Sequence, residues 1–195
     1  MTEAVTLTWL VAASDVDPAP IEAWCREVTR EHSASTFLQV GTGRGLLASG
    51  AGALIIGRAP ALEEASPEWA TSWHSAEFRL RQVHAPTIEP DPTVATAILL
   101  TRTYVPADTQ DEFRRWLETE HSQRQLDVPG NHWYRGYEEL GERHSFMNLW
   151  GLDEAAVADG EAWDRARLTP WRERMVPAMK GMDRAFYRPV ATAEG

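Results

Sequence analysis

The chain has 195 residues, 43% hydrophobic and 25% charged, which is enough apolar material for one compact domain or two small ones. Its formal net charge of −10 argues against nucleic acid or an anionic membrane as partner, since both need a basic face. Cys25 is the single cysteine, so an intramolecular disulfide and a cysteine-based metal cluster are both excluded.

The opening "MTEAVTLTWLVAAS" lacks the basic start and long apolar core of a signal peptide, and no run approaches the roughly 18 apolar residues of a membrane span. A cytoplasmic location is expected. Within it, "TLTWLVAA" (6–13) reads as a strand. "DPAPIEAWCREVTREH" (17–32) reads as a helix with Asp17 as cap, Pro18 in the first turn, and Trp24, Val28 and His32 at helical spacing. "TFLQVGTGRGLLAS" (36–49) is extended and loosened by glycines, and "GALIIGR" (52–58) is a second strand. "PALEEASPEWATSW" (60–73) is expected as a short interrupted helix, and "AEFRLRQVH" (76–84) alternates as a strand. Three prolines in "APTIEPDPT" (85–93) mark a linker.

The plan then recurs. "ATAILLTRTYV" (95–105) reads as a strand, and "ADTQDEFRRWLETEH" (107–121) as a helix capped by Asp108 with Phe113, Trp116 and Leu117 on one face. A turn and a strand are expected over 128–139, and a second strand over 143–152. Asp153 is expected to cap a helix in "EAAVADGEAWDRARL". "TPWRERMVPAM" (169–179) is helical, with Thr169 capping, Pro170 starting and Trp171 packing. "DRAFYRPV" (183–190) is the last strand. An offset of 89 residues lays Glu31-His32-Ser33 on Glu120-His121-Ser122, Trp24 on Phe113 and Gly41 on Gly130.

Each half therefore reads β-α-β-β-α-β. The expected class is α+β: two tandem ferredoxin-like repeats, residues 1–84 and 94–195 around the 85–93 linker, whose antiparallel sheets stack as an α+β barrel. The second repeat is the expected ligand-binding and catalytic half. A helix ending Glu120-His121, then Val128-Pro129-Gly130, a strand opening Asn131-His132-Trp133-Tyr134-Arg135, and a late Thr169-Pro170-Trp171 resemble the dimeric α+β barrel superfamily. Within it the chain is similar to EthD-type proteins and tetracenomycin-type polyketide cyclases, over about residues 95–190. The resemblance implies a ligand cavity between sheet and helices, in a barrel made by one duplicated chain or by a homodimer. It covers cyclases, isomerases, lyases, cofactor-free monooxygenases and some haem enzymes, so it narrows function little.

Helical geometry puts His121 about 80° from Phe113, at the edge of the apolar face, where it can enter a cavity and transfer protons. The competing reading is a helix-end histidine that serves the helix dipole; the resemblance favours a functional role. His32 has the same relation to Val28 in a half that has drifted. Alternation sets His132, Tyr134 and Gly136 against Trp133, Arg135 and Tyr137, while His144, Phe146, Asn148 and Trp150 share a face of the neighbouring strand. His121, Tyr134 and Asn148 are the catalytic candidates, with Asn148 as oxyanion partner. Trp116, Trp133, Arg135, Trp150, His32 and His144 are the substrate-binding candidates. Glu31 and Glu120 are expected to meet solvent. "GTGRG" (41–45) lacks the Lys-Ser/Thr of a phosphate loop, and the histidines form no metal spacing.

The expected activity is general acid/base catalysis, without metal or cofactor, on a small hydrophobic aromatic or polyketide-like carbonyl compound: a cyclase, isomerase or lyase. The alternatives are a non-catalytic protein that binds a hydrophobic ligand and a cofactor-independent monooxygenase. A haem on one histidine stays compatible with the sequence.

Overall fold

The computed structural model describes residues 4–12, 17–31, 34–40, 52–57, 67–84, 94–140 and 145–191. Eight strands form one closed antiparallel barrel: β1 (Ala4–Ala12), β2 (Ala34–Gln39), β3 (Gly52–Gly57), β4 (Ala70–His84), β5 (Ala97–Tyr104), β6 (Asn131–Glu139), β7 (Ser145–Leu152) and β8 (Gly181–Ala191). Around the barrel the order is β1-β3-β2-β8-β5-β7-β6-β4. Each half contributes four neighbouring strands in the same relative order, joined by β2 with β8 and by β4 with β6. Closure leaves no sheet edge to template aggregation.

Inward-facing side chains fill the barrel, among them Leu7, Trp9, Phe37, Phe78, Trp133 and Tyr137. Eight strands leave room for little else, so among the described residues the space between the stacked sheets is packed as core. Packing is tight enough that a Cβ on Gly151 would sit 2.0 Å from Cε2 of Trp133. The side chain of Arg102 lies inside this core. Arg102 is 1% exposed; it donates to Glu139 Oε2 at 2.7 Å and to Ser145 Oγ at 3.0 Å. Its guanidinium lies 4.8 Å from the Trp9 ring centre and 5.0 Å from that of Tyr104.

Outside the barrel, α1 (Pro18–Glu31) buries Ile21, Cys25 and Val28 against the first sheet, and Asp17 caps it by accepting from Ala19 N at 2.9 Å. The second sheet carries α2 (Gln110–Trp116), α3 (Ser122–Leu126), α4 (Glu161–Arg167) and α5 (Pro170–Met175). Thr169 caps α5 by accepting from Arg172 N at 3.1 Å. Among the described residues no helix is long and apolar enough to cross a membrane.

Several expected elements change. Residues 70–73 belong to β4, because Leu10 and Val11 of β1 pair with Trp73 and Ser72. Asp108 gives no cap; a 3-10 turn over Ala107–Thr109 leads into α2. Asp153 caps nothing and instead holds His132 Nε2 at 2.5 Å. The helix expected to stop at His121 runs on to Leu126, and Gly130 at φ +86° then makes the turn into β6 that L side chains rarely adopt. His32, His144, the 41–45 glycine stretch, the 85–93 linker and the 60–66 part of the interrupted helix lie outside the described residues.

Candidate functional site

Between the outer face of the second sheet and α2–α5 lies a cavity of about 310 Å³. Thr101 of β5 and Asn148 and Trp150 of β7 form its floor, Trp116 and His121 one wall, and Trp163 another. Its placement outside the barrel follows from strand alternation: Phe146, Asn148 and Trp150 face the helices, while Met147 and Leu149 face the core.

His121 is placed by a defect in its helix. Leu117–His121 is a π turn, in which Ser122 N–H donates to Leu117 C=O. The Thr119 hydroxyl bonds Arg115 C=O at 2.8 Å, competing with the regular ladder just where the helix widens. Such single π turns recur at functional sites. Glu120, in the same turn, accepts from Trp116 Nε1 at 3.1 Å and from Thr169 Oγ1 at 2.5 Å. It therefore ties the turn to the cap of α5 and does not merely face solvent.

The His121 ring stacks on Trp116 (centroids 4.4 Å, 28°) and meets Trp150 edge-on at 5.9 Å. It has no hydrogen-bond partner among the described residues. The accessible surface it keeps belongs to the cavity wall. Burial, then the charges of Arg172 and Arg167, push its pKa from 6.5 down to about 3, so the imidazole is neutral throughout the physiological range.

Asn148 is oriented by a directional chain. Arg81 Nη1 donates to Glu118 at 3.1 Å and Nη2 to Tyr134 Oη at 3.0 Å. A guanidinium can only donate, so the Tyr134 hydroxyl turns its own proton to Asn148 Oδ1, at 2.8 Å. Asn148 must then present its Nδ2 hydrogens, and Thr101 Oγ1 lies 3.4 Å away from that nitrogen. The result is a fixed donor at the floor of an aromatic cavity, suited to a developing oxyanion.

Four of the sequence candidates line the cavity together: Trp116, His121, Asn148 and Trp150. Tyr134 is fully buried behind Asn148 and does not reach the lining, so it orients rather than contacts a ligand. Trp133 and Arg135 are on the wrong face. Trp133 pairs with Gly151 and Arg135 with Leu149 across β6 and β7, and that face is the barrel interior. The sequence reading overlooked Gln125, Trp163, Arg167 and Arg172 on the wall. Gln125 falls four residues after His121, the spacing that would have found it had the helix been carried past 121.

Among the described residues no three His, Cys, Asp or Glu side chains gather as a metal site. The cavity volume is at the lower end of the roughly 300–1,000 Å³ usual for ligand pockets. That suits a ligand of a few fused rings.

The neutral His121 has a consequence for stability. In the unfolded chain it takes up a proton as pH falls through about 6.5, while the native state refuses it until about 3. Native stability contributed at this position is complete above 6.5 and falls as pH drops through that window. Between pH 7 and pH 5 the loss is about 2 kcal/mol. Urea melts of wild type and His121→Asn at both pH values should show the variant losing less by about that amount; parallel losses would contradict a neutral His121.

No family model and no curated protein matches the sequence. Solved structures do match in fold. A protein described as anthrone oxidase-like superposes with a TM-score of 0.67 at 16% identity, covering 98% of this chain and 92% of that one. An uncharacterized ferredoxin-fold protein from Listeria monocytogenes, related to antibiotic biosynthesis monooxygenases, gives 0.55 at 11% identity, covering 96% of each chain. A heme-degrading enzyme from the same organism gives 0.56 at 11% identity, covering 95% of this chain and 99% of that one. At these identities the likeness shows the ferredoxin-like α+β fold alone.

Proposed function

We propose that the protein is a cofactor-independent oxygenase acting on a small fused-ring phenol or activated ketone of the polyketide type. The observation that carries this reading is His121: a neutral imidazole without a hydrogen-bond partner among the described residues, half-buried and lining an aromatic cavity with the Asn148 donor. The folds of the anthrone oxidase-like and monooxygenase-related proteins support it by analogy.

His121 would take a proton from the substrate's acidic C–H or O–H. A pKa near 3 makes the free imidazole a weak base in isolation. In the low-dielectric cavity, however, the imidazolium forms beside the enolate it has just created, and their attraction offsets the desolvation that depresses the pKa. Asn148 Nδ2 would hold the enolate oxygen, with Tyr134 and Arg81 as positioning residues behind it. The indoles of Trp116, Trp150 and Trp163 would hold the ring plane. The electron-rich anion would pass one electron to dioxygen; the resulting radical pair would join as a peroxide and lose water. In balance, one ring methylene and one dioxygen give one ring carbonyl and one water. One oxygen atom stays on the carbon, the other leaves with both methylene hydrogens, and dioxygen is the sole oxidant.

The test is oxygen uptake with anthrone as probe. One dioxygen should be consumed per anthraquinone formed, well above the spontaneous rate and insensitive to chelators. Conversion of a polyketide-type ketone without oxygen uptake would move the assignment to the cyclase, isomerase and lyase reactions that share the first proton transfer. Binding without conversion would leave a hydrophobic-ligand carrier. We also read the chain as a tandem duplication with the second repeat as the active half; the shared strand order of the two halves supports the first, and the cavity lined by residues of the second half supports the other.

A further inference from the structure

The charges around the cavity do not cancel. Asp159 and Asp164 lie on its wall with Arg167, Arg172 and Arg184. Asp159 pairs with Arg184 at 2.9 Å, and Asp164 pairs with Arg167. The half-buried Arg172 side chain has no ion-pair partner among the described residues. Desolvation and the charge of Arg167 both work against its charge, and the Asp164 and Glu173 carboxylates offset only part of this. With His121 neutral, the wall keeps an excess positive charge beside an apolar interior, an arrangement that an incoming anion relieves.

A second observation is independent of charge. Gln125 is fully buried on the wall, and both its Oε1 and its Nε2 lack a hydrogen-bond partner among the described residues. Buried polar atoms are normally paired, and leaving them unpaired costs free energy until something fills the site. A carboxamide presents an acceptor and a donor side by side, which a ring hydroxyl or carbonyl can meet.

We propose that the cavity takes a fused-ring aromatic carboxylate, its carboxylate on Arg172 and a ring oxygen on Gln125. This rests on the cavity being the substrate site and names the class of substrate it accepts. Arg172 selects by charge, Gln125 by hydrogen bonding, and the three indoles by shape.

The experiment is calorimetric titration of the full chain at pH 7 with 6-hydroxy-2-naphthoate and with its primary amide. The carboxylate should bind about tenfold or more tightly than the amide, the worth of one charge-assisted hydrogen bond. Arg172→Gln should bring the carboxylate down to the amide's affinity and leave the amide unchanged, while Arg172→Lys should keep most of the preference. Gln125→Leu should weaken both probes. Equal affinity of the two probes for the wild type, equal weakening of both by Arg172→Gln, or no binding of either would overturn the proposal. The titration involves no turnover. Carboxylate preference without oxygen uptake on any substrate would therefore sink the oxygenase reading alone, and oxygen uptake without carboxylate preference would sink this one alone.

Discussion

His121→Ala is expected to lower turnover by about 10²–10⁴-fold, the usual contribution of a positioned general base, while the protein still folds. The ring makes no hydrogen bond among the described residues, and one side of it already faces open space. Its loss from the fold is chiefly the stack on Trp116, worth about 1 kcal/mol. The expected signature is a collapse of kcat with a small change in melting temperature. The measurement is turnover on anthrone beside a thermal melt of the same preparation. Near-normal turnover with a large drop in melting temperature would make the histidine a structural residue and remove the base from the mechanism.

Glu139→Ala is expected to have the largest effect on stability, about 3–5 kcal/mol, because it strands Arg102 as an unpaired charge in the barrel core. Both side chains are nearly inaccessible, at 2% for Arg102 and 6% for Glu139. The surrounding rings of Trp9, Tyr104 and Phe78 can accept a cation but cannot neutralise one. The double variant Arg102→Met with Glu139→Leu should recover most of the loss, since an apolar pair needs no partner. Urea denaturation of the three proteins checks both statements. A Glu139→Ala protein as stable as wild type would mean that the ion pair is not desolvated.

Much of this fold is legible from local pattern. Thr169-Pro170-Trp171 marks a helix start by cap and proline, and Asp17-Pro18 does the same for α1. β5 and β7 read as near-continuous apolar runs because each has one face on the barrel core and one under the helices, so both faces are buried. Errors arise where a long-range partner decides. Residues 70–73 carry no strong strand signal of their own, and β1 recruits them. Asp153 fits a cap pattern, yet His132 is within reach and takes it.

The candidate site is half legible for related reasons. His121, Asn148, Trp116 and Trp150 follow from helical and strand periodicity, as does the sharing of one face by Asn148 and Trp150. The π turn follows from neither, because it depends on the Thr119 hydroxyl, Glu120 and the docking of α5 together. Which face of β6 looks into the barrel needs the closure of the whole sheet, so alternation set Trp133 and Arg135 opposite Tyr134 but could not say which of the two faces looks inward. Arg102 did leave a trace. It stands in step with Ile98 and Leu100, the inward positions of β5, where a charge must find a buried partner.

Closing the barrel from the two halves of a single chain also frees it from symmetry. A barrel assembled from two identical subunits repeats every side chain at two related places, so each change made for a ligand is made twice. Here β1–β4 and β5–β8 are separate stretches of sequence. On the first sheet Ile21, Cys25 and Val28 of α1 pack directly against the strands, while the second is hollowed under α2–α5. Mutations that enlarge or reshape the hollow therefore load only one side. The opposite side can act as an unaltered brace, which makes the wall around Trp163 and Gln125 a favourable place to evolve new ligand preferences.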